Sequence, residues 1–377
     1  MISAQFLPWL FAHASPTPTP SPSLSPSFSP SPSPSATAGS PQVIAAIIAA
    51  SVAFLTLIGT LLTAYFSRRA TKGDLEEQRK QLDKTLAEQR YQTLNERFAA
   101  AAEQLGGDKP PAVRLAGVYA MAGLADDWED KRQTCIDVLC GYLRIPDTPD
   151  ASPNAPRPEL ALRGGSEVRH TVIRIITEHL QIDKVEAKAA GKDVVAKAKS
   201  WADLNFDFTG AVFDGGDFSD AWFLGSVSFS GAQFSGGTVS FRSAAFTDEA
   251  TVDFSGAVFS GGTVDFSGAQ FVHGGTVRFS GAAFTDGATV SFSRATFGDG
   301  EVNFSEAVFS GGTVDFGGAE FSGGTVDFSG AEFSGGDVSF VTAIFAGGTV
   351  DFSTPGDWST PPAFPWTDTL PPGVKLP

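Results

Sequence analysis

From Phe208 to Phe352, phenylalanine recurs in a two-beat rhythm that an ordinary globular domain could not use. Twenty-five Phe residues stand in this register, at 208, 213, 218, 223, 229, 234, 241, 246, 254, 259, 266, 271 and onward to 352. From Phe229 the spacing is 5, then 7 or 8, then 5 again. The unit reads AVFSGGTVDFSG at 257–268 and AEFSGGTVDFSG at 319–330. In an extended Ala-x-Phe or Val-x-Phe, residues i−2 and i point to one side and the middle residue to the other. Ala or Val and Phe therefore face inward, and the middle residue faces water. Ser-Gly links Val-x-Phe to the next Ala-x-Phe, and Ser-Gly-Gly-Thr makes the return link. Glycine belongs where the chain turns with positive φ or approaches the next coil closely. Strands of three residues are too short for a sandwich, but they suit the sides of a coil, each stacking on the coil below. One coil cannot bury its inner face alone, so stability must come from stacking. The expected core includes Phe213, Phe234, Phe259, Phe266, Phe271, Phe284, Phe309, Phe316 and Phe328.

The front of the chain is organised differently. Residues 1–67 carry no Asp, Glu, Lys or Arg. Ser15–Pro41 is a Pro/Ser/Thr tract, read with the residues before it as a disordered tail over 1–41, extended and PPII-rich. MISAQFLPWLFAHA lacks a basic n-region and Pro8 interrupts its apolar run, so it is not read as a cleaved signal peptide. Val43–Phe66 is uncharged and long enough for the hydrocarbon core of a bilayer, which places a transmembrane helix over 42–67. Ser67-Arg68-Arg69 and Lys72 come immediately after, so positive charge puts the C-terminal side in the cytoplasm and the N-terminus outside. Ala45, Ala49 and Ala53 form a small-residue stripe that suits a homodimer.

Residues 68–200 read as a juxtamembrane helical domain. Leu75, Leu82, Leu86, Leu94, Phe98, Ala102 and Leu105 keep helical spacing from 74 to 105, as a short coiled coil or as a lone helix packing on the next segment. Gly106-Gly107 ends that helix and Pro110-Pro111 opens another, with Leu115, Val118, Tyr119, Ala122 and Leu124 on one side. A third helix carries Ile136, Leu139, Cys140 and Leu143 inward. Ser166 is placed as the cap of a fourth, with Val168, Val172, Ile175, Ile176 and His179. Pro146–Pro158 is a proline-rich loop. Cys135 and Cys140 lack the spacing of a redox or metal pair and read as packing residues in a reducing cytoplasm. His170 and His179 are nine apart, too far for a helical metal pair. His273 is read as a solvated loop residue. No nucleophile–base or paired-acid arrangement is present, so no catalytic, cofactor-binding or metal residues are assigned, and the chain is read as not an enzyme.

The stretch Phe208–Phe223 and every later SGAxF resemble the pentapeptide-repeat family. That resemblance implies a right-handed, four-sided parallel β-helix with Phe at the centre of each side, occupying 201–352. Here two or three residues are inserted at every second corner, so a turn takes 24 residues, and 25 sides make about six coils, roughly 30 Å long. The tail 353–377, with Trp358 and Trp366, suits a cap over the last coil or a docking peptide. Residues 97–144 are also similar to the juxtamembrane segment of actinobacterial single-pass pentapeptide-repeat membrane proteins, which implies a bacterial plasma-membrane location. The overall expectation is a mixed fold: a transmembrane helix, a small all-α segment, then the solenoid.

The net negative charge is confined to the solenoid. Residues 202–352 hold 19 acidic and three basic side chains, a balance of −16 that equals the net charge of the whole chain. This argues against direct nucleic-acid binding, which needs Lys and Arg. A candidate acidic docking surface comprises Asp253, Asp265, Asp315, Glu320, Asp327, Glu332 and Asp351, all at outward middle positions. The family resemblance permits imitation of DNA toward an enzyme such as gyrase. Against it, a 24-residue period puts Asp253, Arg278, Asn303, Asp327 and Asp351 on one side and interrupts the charge track. The favoured expectation is a non-enzymatic scaffold at the inner membrane face, with the bilayer and an unidentified protein as partners.

Overall fold

The computed structural model describes residues 41–145, 158–181, 200–247, 251–272, 275–285, 287–366 and 369–377. The tail expected over 1–41 falls almost wholly outside the described residues, as do nearly all of the proline-rich loop and His273. The chain divides into two compact units, Met1–Leu82 and Asp83–Pro377.

In the first unit, helix α1 (Pro41–Gln104) begins and runs on without interruption. Its stretch Ile44–Arg69 is long and apolar enough to cross a membrane, and none of it is buried against protein. The hydroxyls within it are satisfied locally: Thr56 donates to the Ala53 carbonyl, Thr60 to Leu57 and Thr63 to Gly59, each at 2.8 Å. Such back-bonding lets Thr sit in an apolar helix. The span and the charged helix expected from residue 74 are one continuous element. A lone Gly73 between them costs only about 1 kcal/mol, too little to break a helix without a proline. Leu75 and Leu82 remain more than half exposed.

In the second unit, the last turns of α1 bury Leu94, Ala101 and Leu105 against α2 (Pro111–Asp127), α3 (Arg132–Arg144) and α4 (Pro158–Leu180), with a short 3-10 turn at Glu129–Lys131. Pro111 opens α2, where its missing N–H has no partner to lose. Val118, Ala122, Leu124, Ile136, Leu139, Cys140, Leu143, Val168, Val172, Ile175 and Ile176 are buried as their periodicity predicts. Tyr119 is not: it is exposed, one position off the inward stripe, and its hydroxyl accepts a 2.7 Å hydrogen bond from Arg174. Ser166 does not cap α4, which starts eight residues earlier at Pro158. Gly164 is tolerated inside this helix because it packs on Pro111; a Cβ there would lie 2.5 Å from Pro111 Cγ.

Beyond Ser200 the chain winds into a four-sided parallel β-solenoid of about seven turns. The four faces are sheets of eight, six, six and six strands, numbered here in chain order. The first face contains Thr251–Asp253, the second Val258–Phe259, the third Gly262–Asp265 and the fourth Gln270–Phe271. Each strand pairs with its counterpart one coil away, like on like: Val264 beside Val239 and Val290, Phe259 beside Phe234 and Phe284. The Phe rings form four columns. In the third-face column, Phe241, Phe266 and Phe292 stack at 4.8 and 4.9 Å, nearly parallel. Across the axis, Phe254 meets Phe266 edge to face at 5.5 Å. All nine Phe residues of the expected core are buried.

The Ser-Gly corners are tight turns in which the Phe carbonyl accepts the N–H of the Ala three residues on, as Phe254 does from Ala257 at 3.0 Å. Gly256 sits at φ +63, the left-handed region that a type II turn demands. On the longer links glycine is required by contact: a Cβ on Gly324 would lie 1.9 Å from the Gly300 carbonyl oxygen. The Phe register counts about six coils; the stack is longer because the tail continues it. Val374–Lys375 pairs with Thr349–Asp351, Asp357 bridges to Glu332 and Ala363 to Ser339. Phe364 lies flat on Phe340, and Trp358 and Trp366 meet Phe333 and Phe345 edge-on.

Candidate interaction surface

Because the interior is filled by Phe, Val and Ala, any chemistry of the solenoid lies on its outer residues. The seven acidic candidates do not converge. Asp253, Asp327 and Asp351 stand on the first face, in one column with Asp207, Ser228, Arg278, Asn303 and Lys375. Asp265 and Asp315 stand on the third face, alternating with Ser240, Ser291 and Ser339. Glu320 is on the fourth face between Thr296 and Ile344, and Glu332 on the second beside Val308.

The distribution has a local cause. On the first and third faces the outward residue leads into the tight corner, and its side chain accepts the N–H two residues on. Asp253 does so from Ser255 and Asp265 from Ser267 at 2.8 Å, and Asp327 from Ser329 at 2.9 Å. Asn303 makes the same bond to Ser305 at 2.8 Å, and Ser291 to Ser293 at 3.3 Å. These are Asx- and ST-turns, which favour a short side chain. At the outward middle position Glu and Gln occur on the second and fourth faces, where among the described residues only Asp357 of the tail makes this bond, accepting from Ser359 at 2.8 Å. The carboxylates of the two Asp-bearing faces thus hold the corners as well as colouring the surface. Asp351 additionally receives Lys375 at 2.8 Å, and this bond with those from Ser353 lowers its pKa to about 2.

The first coil is sealed by the helical bundle, in part through residues that the sequence did not single out. Arg169 is buried, and its guanidinium donates to the carbonyls of Leu143 at 2.8 Å, Ile145 at 3.1 Å and Val212 at 2.5 Å. Arg144 pairs with Asp207; burial raises the Asp207 carboxyl, but the Thr209 hydrogen bonds and the Arg144 charge outweigh it and hold the pKa low. His170 approaches Asp214 at 3.1 Å, and His179 stacks on Trp201 at 3.9 Å. The sequence signal was present: a single Arg on an otherwise apolar helix face, between Val168 and Val172.

The described residues hold no group of three or more His, Cys, Asp or Glu side chains suited to a metal ion. Cys135 and Cys140 are free and buried, and burial pushes their thiols up to about 11 and about 12, far from the thiolate a nucleophile needs. An open pocket of about 640 Å³ between the end of α1 and α3 is lined by Ala102, Leu105, Val138, Tyr142, Arg144 and Ile145, without an acid–base pair.

A solid, capped, four-sided solenoid whose variable residues all point outward belongs to the class of repeat proteins that work through their surface. Residues 204–244, in the first two coils, match the family model described as pentapeptide repeats (9 copies). No curated protein and no solved structure matches the chain.

Proposed function

We propose that the protein is a membrane-anchored, non-enzymatic scaffold that presents its acidic solenoid for protein docking at the inner face of a bacterial plasma membrane. The observation that carries this reading is the filled core: among the described residues of the coils the inward positions are Phe, Val or Ala, save Gly216 in the first coil, so these residues offer faces and no cleft. Pentapeptide-repeat solenoids are generally non-catalytic, and the candidate span Ile44–Arg69 supports anchoring. Arg68 and Arg69 support a cytoplasmic C-terminal side, and the likeness of 97–144 to actinobacterial membrane proteins supports the bacterial setting. Imitation of DNA is not favoured, because Arg278 and Asn303 interrupt the first-face column of carboxylates.

Protease accessibility in right-side-out and inside-out membrane vesicles tests the placement. Cleavage between α1 and the solenoid only in inside-out vesicles is expected. Cleavage in right-side-out vesicles, or release of the chain by alkaline carbonate, would overturn it.

A further inference from the structure

Two of the three basic residues of 202–352 lie at one corner, and their spacing is set by the coil. Arg242 and Arg294 both sit between the third and fourth faces. The Arg242 carbonyl accepts from Asp220 N–H one coil earlier at 2.9 Å, and Arg294 N–H donates to the Gly317 carbonyl one coil later at 3.0 Å. They stand two coils apart, and the coils between and beside them carry Asp217, Asp265 and Asp315 in register on the third face. Along this edge the charge alternates coil by coil: Asp217, Arg242, Asp265, Arg294, Asp315. Each step is one strand spacing, about 4.8 Å. Both guanidiniums are exposed, and among the described residues neither takes part in an ion pair.

The same corner carries backbone that glycine would adopt more easily. Of the five non-glycine residues at positive φ among the described residues, four are here: Asp220, Ser243, Arg294 and Thr342, at φ 57, 56, 57 and 69. They are interleaved with Gly268 and Gly318. Arg294 Cγ lies 3.5 Å from where a Gly318 Cβ would be, so the glycine of the next coil makes room for the arginine stem. On the third face beside this edge, Thr238, Thr263, Thr289 and Thr313 stand in register in one row.

We propose that this edge and the third face pair with a second copy of the chain, the two solenoids lying antiparallel. An alternating row is self-complementary wherever a two-fold axis falls between adjacent coils, and only the central one overlaps all six strands of the third face. A two-fold axis along the strands, between the coil of Asp265 and that of Arg294, sets Arg294 of each copy against Asp265 of the other. It also sets Arg242 against Asp315. Shifting by one coil, or lying parallel in register, brings like charges together. The remaining carboxylates repel a second copy, so the pairing is confined to this face. Six strands of about three residues expose roughly 300 Å² per copy, well below a standard interface of about 800 Å² per partner. The association is therefore weak in solution and strengthened by high local concentration. It stands independently of the scaffold reading.

The test uses the full chain in non-ionic detergent, by sedimentation velocity up to several hundred micromolar (roughly the range of weak interfaces). Wild type is expected to self-associate, and R242D/R294D to do so at least about tenfold more weakly, the size of one interfacial charge pair. D265N/D315N should weaken it too while keeping the corner hydrogen bonds, as Asn303 keeps its own. A mixture of R242D/R294D with D265R/D315R should associate where neither does alone. Thr263 would face Thr289 of the other copy, so an equimolar mixture of the single variants T263C and T289C should be joined between copies by a bis-maleimide about 10 Å long, the usual sheet-to-sheet spacing. Native Cys135 and Cys140 are buried and do not compete. Wild-type monomer throughout, or association and crosslinking unchanged in R242D/R294D with the solenoid folded by circular dichroism, would overturn the proposal. The latter outcome would place any contact on α1.

Discussion

Replacing Phe266 with Ala should be among the most damaging single changes in the solenoid. Its ring is fully buried, stacked between Phe241 at 4.8 Å and Phe292 at 4.9 Å. It also meets Phe254 edge to face at 5.5 Å and Phe279 at 6.2 Å. Truncating a buried Phe costs about 3–5 kcal/mol, and each well-placed aromatic pair contributes ~0.5–1.5 kcal/mol beyond its area. Parallel strands held by their neighbours above and below cannot collapse into the space, so about 4–5 kcal/mol is expected. Phe345, at the last coil, is half-buried between Phe321 at 5.1 Å and Trp366 at 5.0 Å. Its replacement should cost about 1–2 kcal/mol, a partial burial term. Urea unfolding of the full chain, read by amide hydrogen exchange of the central coils, measures both. A loss under about 1 kcal/mol for Phe266→Ala, or equal losses at both sites, would refute the continuous-stack reasoning.

Three further outcomes are expected at the corners and the tail. Thr342→Gly should stabilise the solenoid by about 0.5–1 kcal/mol: it removes a β-branched residue from φ +69 and adds back only glycine's unfolded-state entropy. A loss in thermal melts would count against the strain. Asp327→Ala should cost about 1 kcal/mol through the lost Ser329 N–H bond, whereas Asp327→Asn should be nearly neutral; equal losses in urea melts would show the charge, not the corner bond, to matter. Asp351 has a folded pKa lowered to about 2, first by Lys375, so its contribution is complete above the ordinary value of 3.8 and is lost as pH falls from there toward 2. Lys375→Met should flatten the pH dependence of tail docking in that window, followed by the fluorescence of Trp358 and Trp366; an unchanged profile would disconnect the pair from the tail.

Much of the fold was legible because one rule, alternation with period two, set every side of the coil. Phe254, Phe279 and Phe304 stack because their spacing repeats, and the same arithmetic put Asp253, Arg278 and Asn303 in one column. The seventh turn was hidden because the tail keeps the coil's hydrogen bonds while abandoning its sequence: Gly356, Thr360 and Ala363 donate to the last strands without any Phe rhythm. Continuity of α1 was hidden by a change of composition that carries no break in backbone. The surface was less legible than the core. Periodicity shows that a residue points outward, but not that Asp265 is engaged by Ser267 N–H while Glu320 makes no such corner bond. Nor does it show Arg169 reaching three carbonyls, since those come from α3, the residue after it and the solenoid.

Site-specific photo-crosslinking in native membranes tests the scaffold most directly, with one probe per face of the full chain: Asp327 on the first, Val308 on the second, Thr289 on the third and Glu320 on the fourth. Adducts to a different protein from at least one of these outward positions are predicted. Adducts to a second copy at Thr289 alone would support the antiparallel pairing and not the scaffold. Absence of any heterologous protein adduct from all four faces would contradict the central claim.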